Sequence, residues 1–310
     1  MSHQNSSRIK LVAAFAAVYF IWGSTFLAIR FALETMPPFF LAASRFIIAG
    51  ATLYLIAKLS GAPKPTTRQW RDTALTGALF FLIGNGAVVW AQQTVPSGIA
   101  ALLVAVIPLW VVLFQWILPP HRRPGALVSA GVLLGLGGLT LLVGPRSMGG
   151  SIDVLGAGVL GFGSLCWAFG TIYSGKADFP KMPIQTSAMQ LLSGGLFLGV
   201  ASILTGELSR IGPQTFALKS TLALLYLIVF GSWIAFTAYS WLTRATTPSL
   251  LSTYAYVNPV VAVFLGWVFA GEVLTTRMLI AAGVIIFGVA MITLGQAQVR
   301  GVGREGRAGR

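Results

Sequence analysis

GNGAVVWAQQTVPSGIAALLVAVIP, residues 84–108, returns later in the chain as AFTAYSWLTRATTPSLLSTYAYVNP, residues 235–259. Trp90 aligns with Trp241 and Pro108 with Pro259 at one common offset, and each segment carries a Pro-Ser step before an apolar run. Near the start of each half, Trp22 in IWGSTF corresponds roughly to Trp167 in CWAFGT. The likeness is weak in residue type but ordered along the chain, and it marks an internal repeat.

The surroundings of the repeat are as apolar as the repeat itself. Of 310 residues 56% are hydrophobic and 9% charged, whereas a soluble domain carries about 25% charged residues to cover its surface. Most of this exterior therefore faces a bilayer. A hydrocarbon core of about 30 Å takes roughly 20 residues of helix. Ten runs meet that requirement approximately: Leu11–Phe31, Phe39–Ala57, Thr73–Val89, Ser97–Ile117, Ala126–Val143, Val154–Tyr173, Thr186–Leu204, Thr221–Trp241, Leu250–Ala270 and Arg277–Leu294. The first is too long for the apolar core of a signal peptide and has no convincing small-residue cleavage site, so it reads as a retained helix. The expected fold is an all-α polytopic membrane protein of ten transmembrane helices. Repeat one occupies 11–144, repeat two 154–296, and a basic cytoplasmic tail 297–310.

The net charge of +14, from 21 Lys and Arg against 7 Asp and Glu, lies between the apolar runs. That placement suits membrane topology and not a nucleic-acid face. With the N-terminus in the cytoplasm, fifteen of the 21 cations fall inside, five outside, and Arg45 within a helix. Both termini are then cytoplasmic. Five helices per repeat is an odd number, so the second repeat enters the membrane upside down relative to the first. Inverted repeats are a transporter design, because exchanging the conformations of the two halves exchanges the side that is open. Pro108 and Pro259 each remove a helix hydrogen bond at matched places, which suits a hinge in each half. A static kink is the other reading.

Three motifs carry a family resemblance: Trp-Gly-Ser-Thr-Phe at 22–26, Ser-Arg-Phe at 44–46, and Phe-Leu-Gly-Trp-Val-Phe-Ala-Gly-Glu at 264–272. With the Pro-Ser-entered helices, they resemble the EamA family of the drug/metabolite transporter superfamily over nearly the whole chain. The resemblance implies a five-plus-five inverted-repeat exporter, multi-pass in the bacterial inner membrane, and looks most like the amino-acid exporters, aromatic ones included.

Polar residues on apolar helices usually face a cavity or one another. Phe81, Asn85, Val88 and Gln92 recur at helical spacing and share a face. The repeat offset carries that face to Ser232, Phe236, Tyr239 and Thr243. Tyr254 and Asn258 stand one turn apart before Pro259, and Trp22 and Trp167 offer aromatic walls from equivalent helices. Such a set suits an amino acid: amides and hydroxyls for its polar groups, aromatic faces for its side chain and for cations. Interhelical packing and interfacial anchoring are the competing explanation for each residue. Arg45 has two readings of its own. It faces the cavity and attracts a carboxylate, or it serves structurally by snorkelling or capping carbonyls.

All seven acids lie near helix ends or in loops, and both histidines lie outside the runs. Without a carboxylate or histidine deep in a helix, facilitated export down the cargo's own gradient is expected, with no tight proton coupling. The single cysteine, Cys166, leaves no disulfide framework or multi-cysteine metal site. No metal, cofactor or P-loop signal appears, and an intramembrane enzyme would need a nucleophile–base pair that is missing. The expected partners are amino acids and lipid, with no nucleic acid, in a monomer. GxxxG spacings at Gly131/Gly135 and Gly195/Gly199 point to helix contacts within the chain. Export of other small metabolites or drugs, proton-coupled or not, is the alternative function.

Overall fold

A backbone that crosses lipid must satisfy its own N–H and C=O groups, so apolar runs of this length fold as helices. The structure, a computed structural model, describes residues 2–119, 123–143, 153–245 and 254–308. No strand occurs among them. Among the described residues the longer helical segments are labelled α1 to α10 in chain order, with two 3-10 turns, Glu207–Arg210 and Pro213–Phe216, between α7 and α8. α1 joins Ser2–Ala16, a π-helical stretch Ala17–Ile21 and Trp22–Ala32; α2 is Pro38–Leu59. α3 joins Thr67–Gly77, the π-helical Ala78–Asn85 and Gly86–Ala91; α4 joins Ser97–Val104 and Ile107–Ile117. α5 is Ala126–Val143, α6 Val154–Ser174 and α7 Pro183–Leu204. α8 joins Leu218–Tyr226, the π-helical Leu227–Ile234 and Ala235–Ala245; α9 is Tyr254–Ala270 and α10 Thr276–Ala308.

Seven spans within α1–α4 and α6–α8 are long and apolar enough to cross a bilayer. In α5, α9 and α10 the described apolar stretches are shorter, at Ala126–Gly138, Val257–Ala270 and Thr276–Ile292. α3 starts at Thr67, six residues before the apolar run, because Thr66 and Gln69 form a capping box that nucleates a polar first turn. α10 continues to Ala308 through the sequence expected to form a separate tail. Extending an existing helix costs less than nucleating a new one.

The helix contacts repeat. α1 packs on α8 and α9, as α6 packs on α3 and α4; α2 packs on α8, as α7 packs on α3. α2 with α7, α4 with α9 and α5 with α10 form cross-half pairs. Exchanging the first five helices for the last five maps this pattern onto itself. Glycines bring the paired backbones together. A Cβ on Gly50 would lie 2.7 Å from the Leu192 nitrogen, and one on Gly195 would lie 2.8 Å from the Ile47 nitrogen. The two contacts are reciprocal across α2 and α7. At α5 and α10, a Cβ on Gly131 would meet the Gly288 carbonyl oxygen at 2.6 Å, and one on Gly288 the Gly131 oxygen at 2.7 Å. Close backbone approach through small residues is how helices associate where lipid removes the hydrophobic drive between them.

The two matched prolines behave differently. Pro108 opens the second segment of α4, after a turn at Ala105–Val106 in which Val106 has φ −78° and ψ −2°. Pro259 lies inside the continuous helix α9. Thus α4 is interrupted where α9 is not, because the α4 backbone leaves the helix just before the proline ring that would clash with it.

Replacing Gly131 by Val drives a side chain into the Gly288 backbone, and overpacking of this kind costs about 1–3 kcal/mol. The same change at Gly137, where an added Cβ meets nothing within 4 Å, brings the same change in helix propensity without the clash. Thermal unfolding in detergent should show Gly131→Val melting several degrees below Gly137→Val.

Candidate functional site

Helices from both halves enclose one central cavity. Its wall takes Trp22, Thr25, Phe26 and Ile29 from α1, Arg45 and Phe46 from α2, Phe81, Gly84, Asn85 and Val88 from α3, and Val104 and Ile107 from α4. The second half adds Gly163, Ser164 and Trp167 from α6, Leu191 from α7, Gly231, Ser232 and Phe236 from α8, and Tyr254 and Asn258 from α9.

Backbone geometry presents these groups. The π-helical stretches of α3 and α8 are eight residues each and hold Phe81, Gly84 and Asn85 in one half and Gly231 and Ser232 in the other. Wide π turns inside α-helices recur at functional sites. Two glycines there leave room for large neighbours. A Cβ on Gly84 would sit 2.8 Å from the Trp167 ring, and one on Gly231 would sit 2.8 Å from Arg45 Nη2. The Gly231 carbonyl oxygen accepts a 3.2 Å hydrogen bond from Trp22 Nε1.

An aromatic wall runs round the chamber. Trp22 lies 6.3 Å from Phe236 and 5.5 Å from Tyr254, centroid to centroid, and Phe236 lies 5.9 Å from Phe81. Phe81 packs on Phe46 at 4.7 Å and on Trp167 at 6.4 Å. Arg45 lies in this wall, 7% exposed. Its Nε donates to Ser232 Oγ at 3.0 Å and its guanidinium carbon stands 4.8 Å from the Phe46 ring centroid. The Asn258 amide stands 3.0 Å from the Tyr19 carbonyl oxygen and 3.3 Å from that of Tyr254, two acceptors that its nitrogen satisfies when it is the amide atom facing them.

Trp22, Arg45, Phe81, Asn85, Trp167, Ser232, Phe236, Tyr254 and Asn258 thus come together on the cavity. Tyr239 stands behind the wall, 5.0 Å from Trp22 and 6.0 Å from Tyr254. Gln92 is also off the wall: α3 ends at Ala91, and Gln92 is buried in the closing turn with both amide atoms unpartnered. Extending a single helical period from Phe81 to Gln92 fails because the π stretch changes the period and the helix stops first. Thr243 lies among residues whose side chains are not described. Sequence reasoning missed Thr25, Phe46 and Ser164. Thr25 and Phe46 were within reach, since one sits in the Trp22 motif three residues on and the other follows Arg45 directly.

It also missed what two acids do. Glu207 follows Gly206, at φ 71°, and Glu272 follows Gly271, at φ 64°. Each left-handed glycine ends a helical segment and turns the next residue inward. Glu207 accepts from the Phe39 and Phe40 amides at 3.1 and 2.8 Å and from Ser202 Oγ at 2.9 Å, capping α2. Glu272 accepts from the Ser97 amide and hydroxyl, both at 2.7 Å, and from the Gly98 amide at 3.1 Å, capping α4, with Arg30 Nε 3.6 Å away. Gly266 makes room for that carboxylate, since a Cβ there would lie 2.5 Å from Glu272 Oε2. Outside the spans, Asp153 caps α6 through the Leu155 amide. The Thr94 hydroxyl and the backbone amide of Gly156 hold its carboxyl below the usual carboxylate range.

Fold and chamber together define a polytopic helical membrane protein with a central polar and aromatic cavity shared by two repeats. The sequence profile of the EamA-like transporter family matches residues 9–144 and 155–294, and the chain belongs to that family. It is 39% identical over 289 residues to the uncharacterized inner membrane transporter YedA of Escherichia coli strain K12, spanning 93% of this chain and 92% of that one. It is 27% identical over 276 residues to Protein PecM of Dickeya dadantii, spanning 88% of each. A solved crystal structure of a protein at 23% identity superposes with a TM-score of 0.64, covering 92% of this chain and 97% of the other, and shares its fold. The chain is a multi-pass inner-membrane protein and a small-molecule transporter.

Glu207→Ala and Glu272→Ala each leave buried helix-terminal amides unpaired, a loss of about 1–3 kcal/mol. Glu34 pairs with Lys219 at an exposed site, where ion pairs contribute little. In detergent, both capping variants should unfold well below the parent, and Glu34→Ala should unfold within experimental error of it.

Proposed function

We propose that this transporter exports amino acids, aromatic ones included, by alternating access through the central cavity. In this reading the two repeats are inverted in the membrane and both termini are cytoplasmic. The observation that carries it is the composition of the shared wall: Trp22, Phe81, Trp167, Phe236 and Tyr254 supply aromatic faces, while Asn85, Ser232 and Asn258 supply amides and a hydroxyl. Aromatic faces accept side chains of many shapes and attract cations, and a few placed polar groups fix orientation. The mixture favours broad specificity within the class.

Alternating access needs elements that bend. The interruption of α4 at Ala105–Val106 adjoins Ile107 and Pro108, and Pro259 follows the wall residue Asn258, so both proposed hinges border the chamber. The packing pattern that maps one half onto the other supplies two arrangements of equal geometry. The acids capping helix ends are held in place by backbone amides, and no acid lines the wall among the described residues. Facilitated diffusion is the energetic mode this favours.

Uptake of labelled phenylalanine and threonine into proteoliposomes of the purified protein, without an ion gradient, tests the proposal. Saturable uptake of either above empty liposomes is expected, unchanged in rate by an imposed pH gradient. No uptake of either by folded protein overturns amino-acid export, and flux that follows the pH gradient overturns the uncoupled mode.

A further inference from the structure

We infer that the cavity is an anion site whose missing counter-charge the cargo supplies: the carboxylate of an apolar or aromatic molecule is required for binding, and an ammonium group is dispensable. The inference rests on the cavity being the transport site, and it narrows the cargo to acids, with or without an amino group.

Arg45 is the reason. A buried cation is costly unless a charge or a full set of hydrogen bonds compensates it. The guanidinium offers five N–H donors. Its polar partner here is the neutral hydroxyl of Ser232, at 3.0 Å. No ion pair to Arg45 occurs among the described residues, and no acid lines the cavity. The acids buried among the described residues are committed elsewhere: Glu207 to α2 amides, Glu272 to α4 amides, Asp72 to Tyr173, Arg71 and the Asp178 amide. The chamber therefore carries a positive charge that no described residue pairs, at a wall open to a ligand.

The scaffold does not demand that charge. α2 and α7 are equivalent helices of 22 residues, each with a proline at its first position, and their Gly50 and Gly195 contacts are reciprocal. Arg45 is the eighth residue of α2, and the eighth residue of α7 is Gln190. Gln190 is neutral and donates to Thr76 Oγ1 at 2.9 Å. One of two equivalent positions is thus filled by an amide and the other by a guanidinium beside the chamber. Gly231 keeps space at the guanidinium tip, where a Cβ would come within 2.8 Å of Nη2.

For an ammonium the described wall has aromatic faces but no fixed anion. It provides aromatic faces and neutral polar atoms, with a fixed cation among them. A planar guanidinium suits a carboxylate, which it can hold through two parallel hydrogen bonds. A net anion also leaves the cytoplasm down the inside-negative membrane potential. Export of such a cargo needs no coupled proton.

Calorimetric titration of the purified full-length protein in detergent with 3-phenylpropionate, phenylalanine and phenethylamine separates the groups, since the three share a phenyl ring and differ in charge. Binding of 3-phenylpropionate at least as tight as that of phenylalanine is expected, with phenethylamine at least tenfold weaker. Arg45→Gln should weaken 3-phenylpropionate at least tenfold and Arg45→Lys less. Gly231→Ala, which displaces the guanidinium without removing it, should also weaken the acid. Equal binding of the amine and the acid overturns the anion site, as does undiminished acid binding by folded Arg45→Gln, or no binding of either acid. The wild-type comparison stands if the Arg45 variants fail to fold. Acid binding together with failed phenylalanine and threonine uptake would remove amino-acid export and leave the anion site intact.

Discussion

Lipid offers no hydrogen bonds, so a helix N-terminus buried in this protein has to find partners for the amides that the helix itself leaves unpaired. The answer at α2 and α4 is a carboxylate borrowed from a distant segment. Glu207 reaches α2 from beyond α7, and Glu272 reaches α4 from beyond α9. Carboxylate at a helix N-terminus is favoured by the helix dipole as well as by the hydrogen bonds. Each cap also ties two halves of the chain together, since both links join a first-half helix to a second-half turn. The left-handed glycines at 206 and 271 are what let the acids turn inward. These caps fix where α2 and α4 begin, and with them the depth at which Arg45 and Val104 meet the chamber.

Around that frame, the two halves are alike in backbone and unlike in chemistry. Helix contacts, the eight-residue π stretches and the Gly50 and Gly195 approaches all repeat. The contacts of the side chains around the chamber do not. Trp22 hydrogen-bonds to Gly231, whereas Trp167 packs on Phe80 at 4.9 Å. Arg45 faces Ser232, whereas Gln190 turns to Thr76. In the alternating access proposed above, the repeated backbones would supply the two arrangements, and the unrepeated side chains are free to fit one asymmetric cargo.

Much of this was legible in the chain. Low charge and long apolar runs dictate helices in a membrane whatever their packing, because only such segments satisfy their backbones there. Trp90 and Trp241, with Pro108 and Pro259, announce the repeat, since the offset between them is a property of the sequence. Trp22, Arg45, Asn85 and Trp167 stand out as polar or aromatic residues on apolar helices, and the price of leaving them in lipid already argues for an interior position.

Tertiary structure decided the rest, for reasons that no local period contains. The π turn in α3 broke the spacing that carries Phe81 toward Gln92. The backbone turn before Pro108 split α4 where Pro259 left α9 continuous. Glu207 and Glu272 look like loop acids until the fold brings them to amides more than 160 residues away in the chain. Above all, the sequence places Arg45 in a helix but cannot say whether a partner awaits it. Charge pairing is a matter of distance in space, and only the packed helices show Ser232 at its side and no acid on the wall.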